Sequence, residues 1–424
     1  MFFLEARTGG HIILLVPMQQ CRWQERRMRC VVKLFLGIFL VPCFLGACFG
    51  HAAGAEPPEG DSSLPGLSGE IVIGATFPLS GRFENYGQSA YYGALTRVRM
   101  INNSGGINGK RLVVEWRDNQ SNPALAVRDV EEFARDLKVP AVLGPLLSES
   151  ALASRAVAAR YGIVVMSPMS TSDALVRGNK WMFRACFNNS SQVAGLIDFQ
   201  MRGWGAKSAA VLYDPRFAFS SELARIFKVK FEAQGGVVHG SLPMFDKDGH
   251  EEYTSALATL TAGNPDFLFV PVYALEAIEV VQTLRRLGIG VRVCGSDTWD
   301  NELVFDASGR RLAGTCVTSS LFEQEFSYRP FSTFYAAMEN AGMDTPDAQA
   351  ACAYDAVTLL AEALKKGETA EDVRQALHAV KRFPLATGRM TILPDGETEK
   401  PVLIRVVEIQ GDRLVPVFAE RFDP

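Results

Sequence analysis

From Ile71 onward the chain alternates short apolar runs with longer amphipathic ones, and it does so in two successive series. In the first series the pattern predicts strands at Ile71–Pro78, Leu112–Trp116, Ala141–Gly144 and Ile163–Ser167. Helices are expected at Tyr86–Asn102, Pro123–Asp136 and Glu149–Tyr161, with a short one opening at Ser172–Val176. A bridge near Arg184–Asn189 follows, and the rhythm restarts. The second series reads as helices at Gln192–Arg202, Ser220–Gln234, Tyr253–Leu260 and Glu276–Leu287. Its strands fall at Ala209–Asp214, Val237–Pro243, Phe267–Val272 and Val291–Gly295. Strict alternation of strand and helix demands crossover connections, hence parallel sheets covered by helices on both faces. Two such series joined by a short bridge predict an α/β protein of two doubly wound, parallel-sheet lobes. The last hundred residues break the rhythm. Helices at Phe331–Ala341 and Ala348–Leu364 precede a hairpin, Val402–Gln410 and Arg413–Phe418, that turns at Gly411-Asp412. Such a tail completes both lobes rather than building a third.

The N-terminus is of another kind. Val31–Gly50 is apolar except for Lys33, and Arg26, Arg27 and Arg29 precede it. A basic region, an apolar core and small residues at the end describe a secretory signal, and residues 1–47 are read as one. The run is short for a membrane span and is broken by Pro42. Met28 is an alternative start. Leu45-Gly46-Ala47-Cys48 resembles the lipobox of bacterial lipoproteins and nominates Cys48 for lipid attachment, whereas Ala53-Gly54-Ala55 suits an ordinary signal peptidase. Either cut places the body in the periplasm or cell envelope. Residues 48–69 form a Pro/Gly-rich linker. The formal net charge is −4 with no basic stripe, which argues against nucleic acid as a partner. Cys186, Cys294, Cys316 and Cys352 match no zinc spacing. Cys294 and Cys316 lie in expected strands, where a disulfide and a pair of buried thiols are both compatible with the sequence.

Ligands of open parallel sheets bind beyond the carboxyl ends of the strands. In the first series those positions hold Tyr86, Ser148, Ser170 and Thr171. In the second they hold Phe219, Tyr273 and Asp297, with Trp299 close by. Ser148 and Thr171 stand just before expected helices, where hydroxyls and free N–H groups together suit a carboxylate. Asp297 among aromatics suits an ammonium group. The alternative for Ser148, Thr171 and Asp297 is plain capping of helices and turns. Enzyme signatures are missing: there is no G-x-S-x-G elbow and no H-E-x-x-H. His239, His250 and His378 avoid the expected strand ends, and the glycine-rich Asn102–Gly109 reads as a turn rather than a phosphate cradle. No cofactor is expected.

The stretch IVIGATFPLSGRFENYGQSAYYGALTRVRMINNSGGINGKRL resembles the opening of the branched-chain amino-acid-binding (Leu/Ile/Val) proteins of ABC transporters, the type I periplasmic binding family. AVLGPLLSES, VVMSPMSTSDAL, LYDPRFAFSSELA, GSDTWDNEL and AYDAVTLLAEAL agree in order and spacing, so the resemblance covers roughly residues 70–420. It implies a protein that captures an amino acid by hinge closure and delivers it to a membrane permease, without catalysis. A ligand-sensing receptor or regulator domain of the same fold is the alternative. The resemblance further implies that Ser148 and Thr171 hold the ligand's α-carboxylate. The carbonyl of Met169 and the carboxylate of Asp297 hold its ammonium, while Tyr86, Phe219 and Tyr273 close the cleft. Phe219 stands where relatives often have Tyr, and a cysteine pair of some relatives is replaced by Ser121 and Leu147. Finally, it implies a three-segment hinge near Asn188, Leu321 and Leu385. Residues 70–188 with 321–384 then form one lobe, and 189–320 with 385–424 the other.

Overall fold

The first strand, β1 (Glu70–Phe77), pairs in parallel with β2 (Arg111–Asp118) on one side and with β3 (Ala141–Leu143) on the other. β4 (Val164–Ser167) and β5 (Met182–Arg184) extend the sheet to the order β2-β1-β3-β4-β5, all parallel. The computed structural model describes residues 67–245, 253–300, 314–321, 327–343, 345–410 and 413–424, which fall in one compact unit, Ser62–Pro424. The signal region, Cys48, most of the linker, His250 and the hairpin turn at Gly411-Asp412 lie outside the described residues.

The crossovers of this sheet are α1 (Glu84–Asn103), α2 (Pro123–Glu132) and α3 (Ser148–Tyr161). Asn122 caps α2 by accepting from the Ala124 N–H, and Pro123 sits in its first turn, where a missing N–H costs nothing. The tail supplies α8 (Arg329–Asn340), α9 (Ala348–Leu364) and α10 (Ala370–His378). Almost every residue of α9 is buried. It packs against α1 so closely that a Cβ at Gly93 would overlap the carbonyl of Ala350.

The second sheet runs β15-β14-β10-β9-β8-β6-β7. β6 (Ser208–Tyr213), β7 (Val237–Pro243), β8 (Phe267–Val270), β9 (Arg292–Gly295) and β10 (Cys316–Ser319) are parallel, whereas the hairpin β14 (Val402–Gln410) and β15 (Arg413–Phe422) adds antiparallel. Its helices are α4 (Asn189–Asp198), α5 (Ala218–Ala233), α6 (Tyr253–Thr261) and α7 (Ala274–Arg286). Cys294 and Cys316 face each other on β9 and β10 and form a disulfide, which resolves the choice the sequence left open. Cys186 and Cys352 are buried free thiols.

Departures from the sequence reading have physical reasons. Ser172–Val176 does not open a helix: Asp173–Gly178 is a run of turns, because the chain must cross to β5, whose Met182-Phe183-Arg184 ends on a charge and gives no apolar run. The tail also holds a third, small antiparallel sheet, β11 (Phe383–Leu385), β12 (Gly388–Ile392) and β13 (Thr398–Glu399), whose alternation over a few residues gives no signal. This sheet rests on the first lobe. Glu397 pairs with Arg184 at 3.2 Å, Thr398 Oγ1 donates to the Cys186 carbonyl at 2.9 Å, and Lys400 Nζ donates to the Ala185 carbonyl. The chain joins the seven-stranded sheet only at Val402.

Candidate functional site

Each sheet reverses its strand order once. β1 lies between β2 and β3, and β6 lies between β7 and β8. At such a point successive connections leave to opposite faces and the carboxyl ends of the strands open a crevice. The loops beyond both crevices line one small cavity. The first lobe contributes Tyr86, Leu146, Leu147, Ser148, Met169, Thr171 and Gln349, and the second contributes Phe219, Tyr273, Asp297 and Thr298.

Of the residues placed at the cleft from the sequence, Ser170 and Trp299 do not line the wall. Ser170 is buried behind Ser148, with its Oγ 3.2 Å from the Ser148 Oγ. Ser148 is the first residue of α3, and Leu147 at the N-cap offers no capping oxygen. The Ser148 hydroxyl is therefore not a cap. It stands at a helix N-terminus whose first N–H groups lack intrahelical acceptors. Thr171 does not precede a helix, and its loop is held from behind. The Thr171 carbonyl accepts from the Asn189 N–H at 2.7 Å. The fully buried Arg184 donates to the carbonyls of Ser170 at 3.0 Å and Ser172 at 2.7 Å.

Asp297 begins a short turn after β9 and is 3% exposed. Gln192 and the Thr298 N–H approach its carboxylate, yet Oδ1 has no hydrogen-bond partner. Burial raises its pKa to about 7, because a desolvated carboxylate with an empty lone-pair sector disfavours its charge. Trp299 leaves the site altogether. It is fully buried against Gly295 with its indole N–H on the Val272 carbonyl at 3.1 Å.

The aromatic residues join the lobes. Tyr86 Oη donates to the Thr298 carbonyl at 2.9 Å and accepts from the Ala274 N–H at 3.0 Å. Burial pushes its phenol well above the ordinary range. Tyr273 packs on Phe219 at 4.6 Å and on Tyr86 at 5.8 Å. These contacts are those of a closed cleft. Leu146, Leu147, Thr298 and Gln349 were given no binding role from the sequence. The first three adjoin strand-end residues that were given one. Gln349 opens α9 in the irregular tail, where no strand-end rule applies.

The profile of the periplasmic binding protein family matches residues 70–413. The chain belongs to that family. A Leu/Ile/Val-binding protein, BraC3, of Rhizobium johnstonii is 28% identical over 336 residues, 78% of this chain and 88% of the relative. The branched-chain amino acid transporter substrate-binding protein LivJ of Streptococcus pneumoniae, solved with isoleucine, superposes with a TM-score of 0.74. It is 26% identical, and the match covers 82% of this chain and all of that one. A solute-binding protein of Rhodopseudomonas palustris, solved with 3,4-dihydroxybenzoic acid, shares the fold at a TM-score of 0.73 and 20% identity, over 84% and 97% of the two chains. Periplasmic binding proteins are solute-binding proteins rather than enzymes. His239 and His378 do not line the cavity. Among the described residues there is no group of side chains set to hold a metal ion, and no helix is long and apolar enough to cross a membrane.

Proposed function

We propose that this protein is the extracytoplasmic capture component of an ABC transporter, closing its lobes over a free α-amino acid with an apolar side chain. One observation carries the reading: a buried, unpartnered Asp297 carboxylate oxygen shares a small cavity with the hydroxyls of Ser148 and Thr171. The ligand's ammonium meets Asp297 and the Met169 carbonyl, and its carboxylate meets the two hydroxyls and the N-terminus of α3. Each charge-assisted hydrogen bond contributes about 1.5–3 kcal/mol once water is excluded. Leu146, Leu147, Met169 and Phe219 leave the side chain an apolar wall. An aromatic acid such as dihydroxybenzoate lacks the cation that Asp297 requires. We assign lobe crossings to Ala185–Asn188, Ser320–Leu321 and Lys400-Pro401. The pairing of Glu397 with Arg184 and the donation of the Ala386 and Thr387 N–H groups to Asp355 support the last of these over Leu385. Delivery to a membrane permease, export by the N-terminal signal and attachment at Cys48 complete the proposal.

The test is calorimetric titration with L-leucine, L-isoleucine, L-valine and L-alanine, their methyl esters, and 3,4-dihydroxybenzoate. Free amino acids are expected to bind and the other two classes to fail. Dihydroxybenzoate as the sole binder would overturn the assignment. Ser148→Ala is expected to weaken amino-acid binding about tenfold, the loss of one hydrogen bond to a charged group. Equal binding of esters and free acids would remove Ser148 and Thr171 from the carboxylate role.

The raised pKa of Asp297 has a consequence for pH. In the closed form the carboxyl is protonated below about 7, and an ammonium ligand requires it ionised. Proton and ligand therefore compete. Affinity is expected to be level above pH 7 and to fall toward tenfold per unit beneath it. A flat profile from pH 5.5 to 8.5 would place the ammonium elsewhere.

A further inference from the structure

The lobes touch at two charged contacts that lie outside the ligand cavity. In the turn after β1, Arg82 forms an ion pair with Glu276 at the head of α7. Glu276 is 5% exposed at its side chain and is also held by Arg216 at 3.1 Å, which in turn pairs with Asp214 at 2.6 Å. Arg216, Asp214 and Glu276 all belong to the second lobe. With the lobes apart, that lobe keeps two carboxylates against one guanidinium, and Arg82 supplies the balancing charge on closure. Arg82 also lies 5.6 Å over the Phe217 ring, and its neighbour Phe83 packs 4.5 Å from Tyr273.

The other contact is a carboxylate from the first lobe. Glu149 Oε1 accepts from the Phe219 N–H at 3.4 Å, and its Oε2 accepts from the Tyr273 hydroxyl at 3.1 Å. Phe219 is the second residue of α5, and α5 has no side-chain cap of its own. A carboxylate from the opposite lobe thus serves the unsatisfied N-terminus of this helix, where negative charge is favourable. Arg82, Glu149 and Glu276 are absent from the cavity wall.

We propose that Arg82 and Glu149 form a latch that acts on the lobes rather than on the ligand, and that they are the positioning residues setting how long the closed form lasts. The inference rests on the capture-by-closure reading above. Both contacts exist only when the lobes meet, so they stabilise the closed form whatever occupies the cavity. Opening must break them, whereas encounter with the open cleft does not involve them. Their effect falls on release rather than on association. Arg82 is 41% exposed at its side chain, so salt screens its pair.

The test measures L-leucine association and release by stopped flow in the wild type, Arg82→Met, Arg82→Lys and Glu149→Gln. Alongside, the distance is measured between spin labels introduced at one exposed position of each lobe, with and without leucine. Arg82→Met is expected to release leucine about tenfold faster with association unchanged within twofold. Arg82→Lys recovers part of the loss, and 0.5 M salt narrows the gap between wild type and Arg82→Met. The short inter-lobe distance is expected to lose population in both Arg82→Met and Glu149→Gln at an unchanged melting temperature. Release rates within twofold of wild type for both variants overturn the latch, and so does a change confined to association. If wild type binds no amino acid, the capture reading fails separately. The label distances then decide alone, and coincident distributions in wild type and Arg82→Met, or no short distance in either, overturn the latch.

Discussion

Asp297→Asn is expected to weaken amino-acid binding by roughly thirtyfold or more while leaving the ligand-free protein at least as stable as the wild type. The two halves of this result have one cause. Asp297 is 3% exposed and one of its oxygens is unpartnered, so the ligand-free closed form holds a desolvated charge with incomplete compensation. Replacing it by a neutral isostere removes that cost, and the melting temperature stays level or rises. In the complex the same carboxylate is the ammonium's counter-charge. Truncating one partner of a buried, hydrogen-bonded charge pair costs about 2–5 kcal/mol, a loss of roughly thirtyfold to several thousandfold in affinity. Calorimetry with L-leucine and a thermal melt of the ligand-free protein measure the two halves. Affinity within threefold of wild type would contradict the ammonium assignment. A melting temperature lowered by several degrees would mean that Asp297 serves the fold instead.

Arg184→Met is expected to show the opposite pattern, losing stability first and binding as a consequence. Arg184 is fully buried on β5 and reaches three partners: the carbonyls of Ser170 and Ser172, and Glu397 of the small sheet. Methionine fills most of the volume but leaves the buried Ser170 and Ser172 carbonyls without their donor and the part-buried Glu397 without its counter-charge. Breaking a buried ion pair by removing one partner costs about 3–5 kcal/mol, a large share of the roughly 5–15 kcal/mol that holds a typical domain. The loop Met169–Thr171 loses its support in the same step, so residual folded protein is expected to bind leucine more weakly. Urea denaturation monitored by circular dichroism reads the stability. A midpoint within experimental spread of wild type would show that the loop is held by other means. Arg184→Lys keeps the charge but not the planar fork, and is expected to recover only part of the loss.

Much of the architecture was legible because apolar runs report burial directly. Strands enclosed on both faces are continuous apolar stretches, such as Phe267–Val270, and amphipathic helices repeat every three to four positions. Ala348–Leu364 is the same helix in the sequence reading and in the structure. β5 and β11–β13 are short and interrupted by Arg, Pro, Gly, Thr or Glu, so they left no such apolar run and were missed. The tail's last helix, α10, was missed as well, although Thr369 and Asp372 spell out its capping box. The turn at Asp173–Gly178 was misread because Ser172 before a mixed run imitates a helix start.

The candidate site divides along the same line. Tyr86, Ser148, Thr171, Phe219, Tyr273 and Asp297 were named from the sequence and line one cavity, since a parallel sheet gathers the loops at the carboxyl ends of its strands. That is a consequence of chain order, and chain order is what a sequence contains. Other features depend on which side chains meet after folding. Ser148 is freed from capping by the way α3 begins, Trp299 turns into the core, and Gln349 arrives from the tail. Arg82 and Glu276 are 194 positions apart, and nothing local in either segment names the other. Local pattern specifies the lobes and the kind of group each offers. The pairing of residues across the cleft exists only once the two sheets are brought together, because an ion pair or a shared cavity is a property of distance and not of order along the chain.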